Sequence, residues 1–220
     1  MAPNGETGKL DDLPANRSAG QGSAMSPCFT RGTLIATPRG EIPAEHLRAG
    51  DRVVTRDNGI QEIRWAARNA LGAAQLLLNA HLQPVLIAAG ALGNGLPERD
   101  LLVSPNHRVL VAGDRSLLHF DDPEVLVAAK HLVGTPGVQA VTSVGLTYVH
   151  FLFDRHEVVL SNGAWTESFQ PTDFSLKGLG NAQRSEILEL FPALHPAANG
   201  GGIGPARRVL TRDEAAHLKG

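Results

Sequence analysis

The chain has 220 residues, 42% of them apolar, with 20 basic against 22 acidic residues and a formal charge of −2. That is enough apolar material for one compact domain of about 140 residues with a head and a tail, and the interspersed charge excludes a basic surface for nucleic acid or anionic membrane. A single cysteine, Cys28, excludes an internal disulfide framework and a cysteine-based zinc cluster.

Met1 to Pro27 is rich in Gly, Ser, Ala and Asn, and its large aliphatics are few. It buries too little to offset the entropy of ordering and is expected to be a disordered leader. It lacks the apolar core of a Sec signal, and no stretch of the chain reaches the ~18 apolar residues of a spanning helix. The default location is cytoplasmic, with secretion by another route left open.

Thr33 to Thr37 reads as a first short strand, closed by the turn signal Pro38-Arg39-Gly40. Pro43 to Leu47 suits one helical turn with proline at its first position. Asp51 to Thr55 is a second strand, and Asp57-Asn58-Gly59 marks a hairpin. Ile60 to Trp65 alternates only in part, and Ala66 to Ala80 is open between strand and helix. Pro84 to Ala89 is a strand, Gly90 to Pro97 a glycine-rich loop, and Leu101 to Val111 one long extended segment interrupted by Pro105.

Val125 to Val133 carries apolar residues at 125, 126, 129, 132 and 133, a helical spacing ended by Gly134. Val138 to Val144, Leu146 to Phe153 and Glu157 to Ser161 read as strands, and Asn162-Gly163 is a two-residue hairpin turn. Arg184 to Phe191 suits a short helix, Ala197 to Gly204 a linker, and Thr211 the cap of a terminal helix through Thr-x-x-Glu spacing. Strands at short intervals make the fold class all-β, with short helices and a short C-terminal helix.

Three stretches carry chemistry. The first is Cys28-Phe-Thr-Arg-Gly-Thr-Leu-Ile-Ala-Thr-Pro-Arg-Gly40, followed by Glu45-His-Leu-Arg-Ala-Gly-Asp51. Its cysteine stands where the polar leader meets the first apolar alternation. The second is Leu101-Leu-Val-Ser104-Pro-Asn-His107-Arg-Val-Leu-Val111, which also reads as a plain turn between strands. The third runs from Tyr148-Val-His150 through Asp154 and His156 to Asn162-Gly163-Ala-Trp-Thr-Glu-Ser168. In a regular strand Tyr148, His150 and Leu152 share a face.

Together these stretches resemble the Hint superfamily, the self-processing domains of inteins and Hedgehog proteins, and are most similar to its bacterial members. The resemblance runs from about Pro27 to Ser168. It implies a pseudo-two-fold β horseshoe and an organisation of leader (1–27), Hint domain (28–170) and C-terminal extension (171–220). It also implies an N–S acyl shift at the Pro27–Cys28 bond. Cys28 would be the nucleophile, His107 the proton donor to the leaving amine, and Ser104, in place of the family's threonine, a polarising or oxyanion contact. His150 falls near a position that intein relatives often fill with aspartate and would tune Cys28. Asp154 is a structural partner for Arg155 or His156.

The chain departs from inteins after Gly163. No His-Asn pair closes the domain, so ligation of flanking segments is not expected. What remains is thioester formation, with the chain's own leader as substrate in cis and water, another small nucleophile or a protein partner to resolve it. No cofactor or metal is implied: His46, His81, His119 and His131 are scattered along the chain. Two other readings stay open, a catalytically degenerate Hint fold used as a binding or structural module and a cysteine hydrolase acting on another chain.

Overall fold

The computed structural model of the protein describes residues 26–194 and 203–218. The expected disordered leader lies outside the described residues except for Ser26 and Pro27, as does most of the expected linker at 197–204.

The strands are β1 (Phe29–Thr30), β2 (Leu34–Thr37), β3 (Gly40–Pro43), β4 (Arg52–Val54), β5 (Ile60–Glu62), β6 (Trp65–Gly72), β7 (Val85–Ile87), β8 (Leu101–Val103), β9 (Arg108–Ala112), β10 (Glu124–Ala128), β11 (Val138–Ala140), β12 (Gly145–Leu152), β13 (Val158–Ser161), β14 (Ala164–Glu167) and β15 (Arg208–Val209). Short helices α1 (Ala73–Leu78), α2 (Asp114–Phe120), α3 (Ala129–Leu132), α4 (Asp173–Lys177), α5 (Asn181–Leu190) and α6 (Arg212–Ala216) decorate them.

A six-stranded sheet has the order β11-β7-β8-β1-β12-β6, a seven-stranded sheet β15-β10-β9-β14-β13-β2-β3, and β4 pairs with β5 alone. Among the strands of the described residues, β10 and β15 alone pair in parallel. The fold is all-β, as the short strands and frequent turn residues predict.

The chain passes from the six-stranded to the seven-stranded sheet three times, between β1 and β2, between β8 and β9 and between β12 and β13. Those crossings are where the three chemistry-bearing stretches lie. Leu101 to Val111 is therefore not one extended segment. Pro105 has no N–H for a ladder and favours an extended residue before it, so the chain turns at Ser104–His107 and leaves the first sheet for the second.

Val125 to Val133 is not a helix over its length. Its first half is β10, paired with β9 over five residues, and only Ala129–Leu132 is helical. β10 is buried from Val125 to Ala128. A strand covered on both faces shows no alternation, and its apolar run mimics a helical stripe. The opposite effect shapes β6: its alanines, Arg68 and Asn69 are weak strand formers, but an eight-residue ladder with β12 holds them extended. Val138 to Val144 shortens to β11 at Val138–Ala140.

The Asn162-Gly163 turn has φ of 46° and 82°, the left-handed pair of a type I′ hairpin. A Cβ on Gly163 would stand 2.3 Å from Glu98 Cγ, so glycine serves both the backbone and the close approach of Glu98. Thr211 caps α6 by accepting from Glu214 N–H, as its spacing predicts.

The core under the site is aromatic. Phe29 stacks on Phe151 with centroids 4.8 Å apart, and Ile35, Leu47, Val53, Ile63 and Val159 close around them. Each such side chain contributes about 1.5–3 kcal/mol when fully buried, which fixes β1 and β12 as neighbours. The C-terminal segment is fastened to the same body: Ile203 joins the Trp65–Phe169 cluster, and Leu210 and Ala215 join the Val125–Val127 cluster. Among the described residues no helix is long and apolar enough to cross a membrane.

Candidate active site

β1 is only two residues long, and its neighbours decide what surrounds Cys28. Phe29 faces Val103 of β8 on one side and Val149 of β12 on the other, both antiparallel. One residue back along β1 is one residue forward along each partner. That register sets Cys28 between Ser104 and His150, with side chains of directly opposed residues on a common face. Cys28 and Tyr148 accordingly share one apolar cluster with Leu71, Leu76 and Leu82.

The contacts follow. Cys28 N–H donates to Ser104 Oγ at 2.9 Å, and Ser104 N–H donates to Cys28 O at 3.1 Å. Ser104 Oγ donates in turn to Ser26 O at 3.1 Å. The thiol of Cys28 donates to the same Ser26 carbonyl at 2.9 Å. Sγ also lies 3.3 Å from His150 Nε2, and His150 Nδ1 lies 3.1 Å from Pro27 O.

A carbonyl oxygen can only accept, so the contact with Pro27 O assigns the proton to Nδ1. Nε2 then carries a lone pair facing the thiol. One imidazole thus spans the sulfur of Cys28 and the carbonyl of the residue before it.

Cys28, Ser104, His107 and His150 are all buried. Burial raises the Cys28 thiol well above its ordinary pKa, against a smaller lowering by Ser104, and nearby Glu167 raises it further. Burial lowers His150 from 6.5 to about 4, partly offset by its bond to Pro27 O. His107 falls to about 3, through burial first and then electrostatic coupling to His150, Arg108 and His156. At neutral pH the site is a thiol beside two uncharged imidazoles.

The structure joins Cys28, Ser104 and His150 by hydrogen bonds; His107 donates its backbone N–H to Ser104 O at 3.0 Å, and its side chain stays out of that chain. Neither ring nitrogen of His107 has a hydrogen-bond partner among the described residues. Its ring packs edge-on against Phe29 with centroids 4.5 Å apart. Ser104 meets the amide nitrogen of Cys28 and not the oxygen of Pro27. Asp154 is exposed and pairs with Arg64 at 3.3 Å, not with Arg155 or His156.

Beside the site lies a network that sequence reasoning did not pick out. Glu167 is fully buried. It accepts from Arg108 N–H at 2.8 Å, from the Arg108 guanidinium at 3.0 Å and from His156 Nε2 at 3.1 Å. His156 Nδ1 accepts from Ala206 N–H at 3.0 Å, which fixes the proton on Nε2 and ties the C-terminal segment to the network. An inward charge on a strand looks in sequence like an outward one; only its placement between Thr166 and Ser168, both buried, distinguishes it.

Asn162, the asparagine nearest the family's closing block, is committed to structure. Its side-chain oxygen accepts from Leu34 N–H and its amide donates to Asp100 O, each at 2.8 Å. Among the described residues no three His, Cys, Asp or Glu side chains are grouped to hold a metal.

Comparison with known proteins bears on this arrangement. The family model described as Hint domain matches residues 27–173. Solved structures similar to this chain include the gp41-1 intein at 11% identity, covering 64% of this chain and 97% of that one with a TM-score of 0.41. The bacterial intein-like domain from Clostridium thermocellum matches at 11% identity, covering 63% and 96% with a TM-score of 0.40. The Ssp DnaB mini-intein variant M86 matches at 11%, covering 67% and 97% with a TM-score of 0.43. No curated protein matches the sequence. The match of the family model, which begins at the residue before Cys28 and takes in Ser104, His107 and His150, shows that the chain belongs to the Hint domain family.

Proposed function

We propose that this Hint domain processes itself at the Pro27–Cys28 bond through an N–S acyl shift. One observation carries the reading: the imidazole of His150 reaches both Cys28 Sγ and Pro27 O, the two atoms such a shift must serve. His150 Nε2 takes the thiol proton, and the thiolate attacks the carbonyl carbon of Pro27. The imidazolium that results donates from Nδ1 to the developing oxyanion, a charge-assisted bond in a water-poor site.

The C–N bond then breaks, and the proton on Nε2 passes to the departing amine of Cys28. The product is a thioester between Pro27 and Sγ with a free amino group on Cys28. Ser104, already bonded to that nitrogen, keeps the amine in place. In this account the proton-donor role implied for His107 passes to His150, and His107 packs against Phe29 beside the site.

Resolution of the thioester by water or another nucleophile releases the leader, with Pro27 as its new C-terminus. Ligation has no support, because Asn162 holds the β13–β14 turn and no His-Asn pair follows it.

A second reading, a dormant Hint fold acting as a binding or structural module, is favoured by the enclosure of the nucleophile. The thiol is buried, donates to Ser26 O and has a raised pKa. The two readings part in one experiment, the intact mass of the full chain with and without dithiothreitol, beside Cys28→Ala. Self-processing predicts thiol-accelerated loss of the leader in the native sequence and none in the variant. Full-length protein under every condition would leave the binding module.

A further inference from the structure

Ser26 and Pro27 are buried, but Pro27 is also part of the wall of a pocket of about 210 Å³. At about 30 Å³ per water, that volume holds roughly seven waters. Its other walls include Asn106, Arg108, Lys130, Gln170 and Thr172. Ala128, Val209 and Leu210 complete the lining, so polar and apolar walls are about equal, and the size suits a small molecule.

The pocket is tied to the site by the backbone. Ala129 N–H donates to His107 O and Lys130 N–H to Pro105 O, each at 2.9 Å, so the start of α3 is fixed to the Ser104–His107 turn. Ser26 Oγ donates to Ser175 O at 2.6 Å, which fixes the scissile segment to the opposite wall.

Besides the imidazole of His131, two cationic side chains line the pocket, Arg108 and Lys130. Arg108 is neutralised by the buried carboxylate of Glu167 and its second contact, Gln170 Oε1, is uncharged. Lys130 is exposed, and the ion pairs among the described residues leave it out. No acidic side chain is among the described walls. Of the two permanently charged side chains beside the acyl residue, Lys130 is thus the one without a carboxylate partner.

We infer that this pocket receives the nucleophile that resolves the thioester, and that it selects a small thiol or amine bearing an anionic group, whose charge Lys130 meets. The inference rests on the thioester reading above. In the step itself the nucleophile's sulfur or nitrogen bonds to the Pro27 carbonyl carbon, the C–Sγ bond breaks, and the proton lost by the nucleophile ends on Cys28 Sγ. No oxidant or further reactant is needed.

The test uses three thiols of similar length on the full chain: 2-sulfanylethanesulfonate (anionic), 2-sulfanylethanol (neutral) and cysteamine (cationic), compared at equal thiolate concentration. One charge pair at about 5 Å, at the water-like dielectric around an exposed lysine, gives roughly a fivefold rate effect. The anionic thiol should release the leader about fivefold faster than the neutral one, and the cationic thiol should be slower by a similar factor. Lys130→Gln should level the three rates, and Lys130→Glu should reverse their order. Because the order is read within each variant, a general change in activity cancels. Equal rates in the native chain, or an order that survives Lys130→Glu, would overturn the inference while leaving the thioester reading intact. No cleavage by any thiol would overturn the thioester reading and the inference with it.

Discussion

Acidification from pH 7.5 to pH 5.0 should weaken the domain chiefly through the two buried imidazoles of the site. In the unfolded chain each titrates near 6.5; in the fold His150 titrates near 4 and His107 near 3. Between 6.5 and 4 the unfolded chain therefore binds protons that the fold refuses. Stability is full above 6.5, is lost as pH falls through that window, and continues to fall toward 3 for His107. Each pH unit in the window costs about 1.4 kcal/mol per group. By pH 5.0 each histidine has removed about 2 kcal/mol, and the pair about 4, a large part of the ~5–15 kcal/mol that holds a typical domain together.

Urea unfolding at the two pH values measures this directly. The control is His107→Leu, which removes one titrating group from an apolar contact with Phe29 and should reduce the pH-dependent loss by about 2 kcal/mol. If His107→Leu and the native chain lose the same stability on acidification, the claim that the fold keeps His107 uncharged is refuted.

Three further outcomes follow from the same geometry. His150→Ala should slow thiol-induced release of the leader by about 10²–10³-fold, read by intact mass against time, because it removes both the base on Sγ and the donor to Pro27 O. Arg108→Ala should destabilise the fold by about 3–5 kcal/mol in urea unfolding, since it leaves the fully buried Glu167 without its cation; an effect below about 1 kcal/mol would mean the pair is not the anchor it looks. Gly163→Ala should cost about 1–3 kcal/mol, read from the same unfolding curves, for the positive φ and the overlap with Glu98.

Residue types and local spacing give the all-β class and single out Cys28, because short strands, Asn-Gly turns and a lone cysteine at a domain edge are local features; Ser104, His107 and His150 are named by the resemblance of their stretches to the Hint family. What faces what is not local. That Cys28 lies between Ser104 and His150 depends on β1 pairing with β8 and β12, partners about 75 and 120 residues away in sequence. The same limit hides the Glu167 network, whose members come from three segments. The misreading of Val125–Val133 has a different cause. Burial on both faces of β10 erases the alternation that marks a strand, so a run of valines and a leucine followed by one real turn of helix imitates a longer one.

The buried site also explains why its groups are held neutral. A thiolate or an imidazolium would be costly there without a partner, and the proposed proton transfer from Sγ to Nε2 would supply one by coupling to the carbonyl of Pro27. Glu167 adds to the cost of a Cys28 thiolate, so the resting sulfur is held as the thiol.

The measurement that tests the central claim most directly is the site of cleavage after hydroxylamine treatment of the full chain. Hydroxylamine traps a thioester as a hydroxamate on the acyl residue. The account predicts a leader fragment ending in a Pro27 hydroxamate and a large fragment beginning with Cys28 and its free amine, with neither formed from Cys28→Ala. A Pro27–Cys28 bond that stays whole, or a cut there that persists in Cys28→Ala, would contradict it; hydroxylamine also cuts Asn–Gly bonds, and those cuts are common to both chains and are discounted.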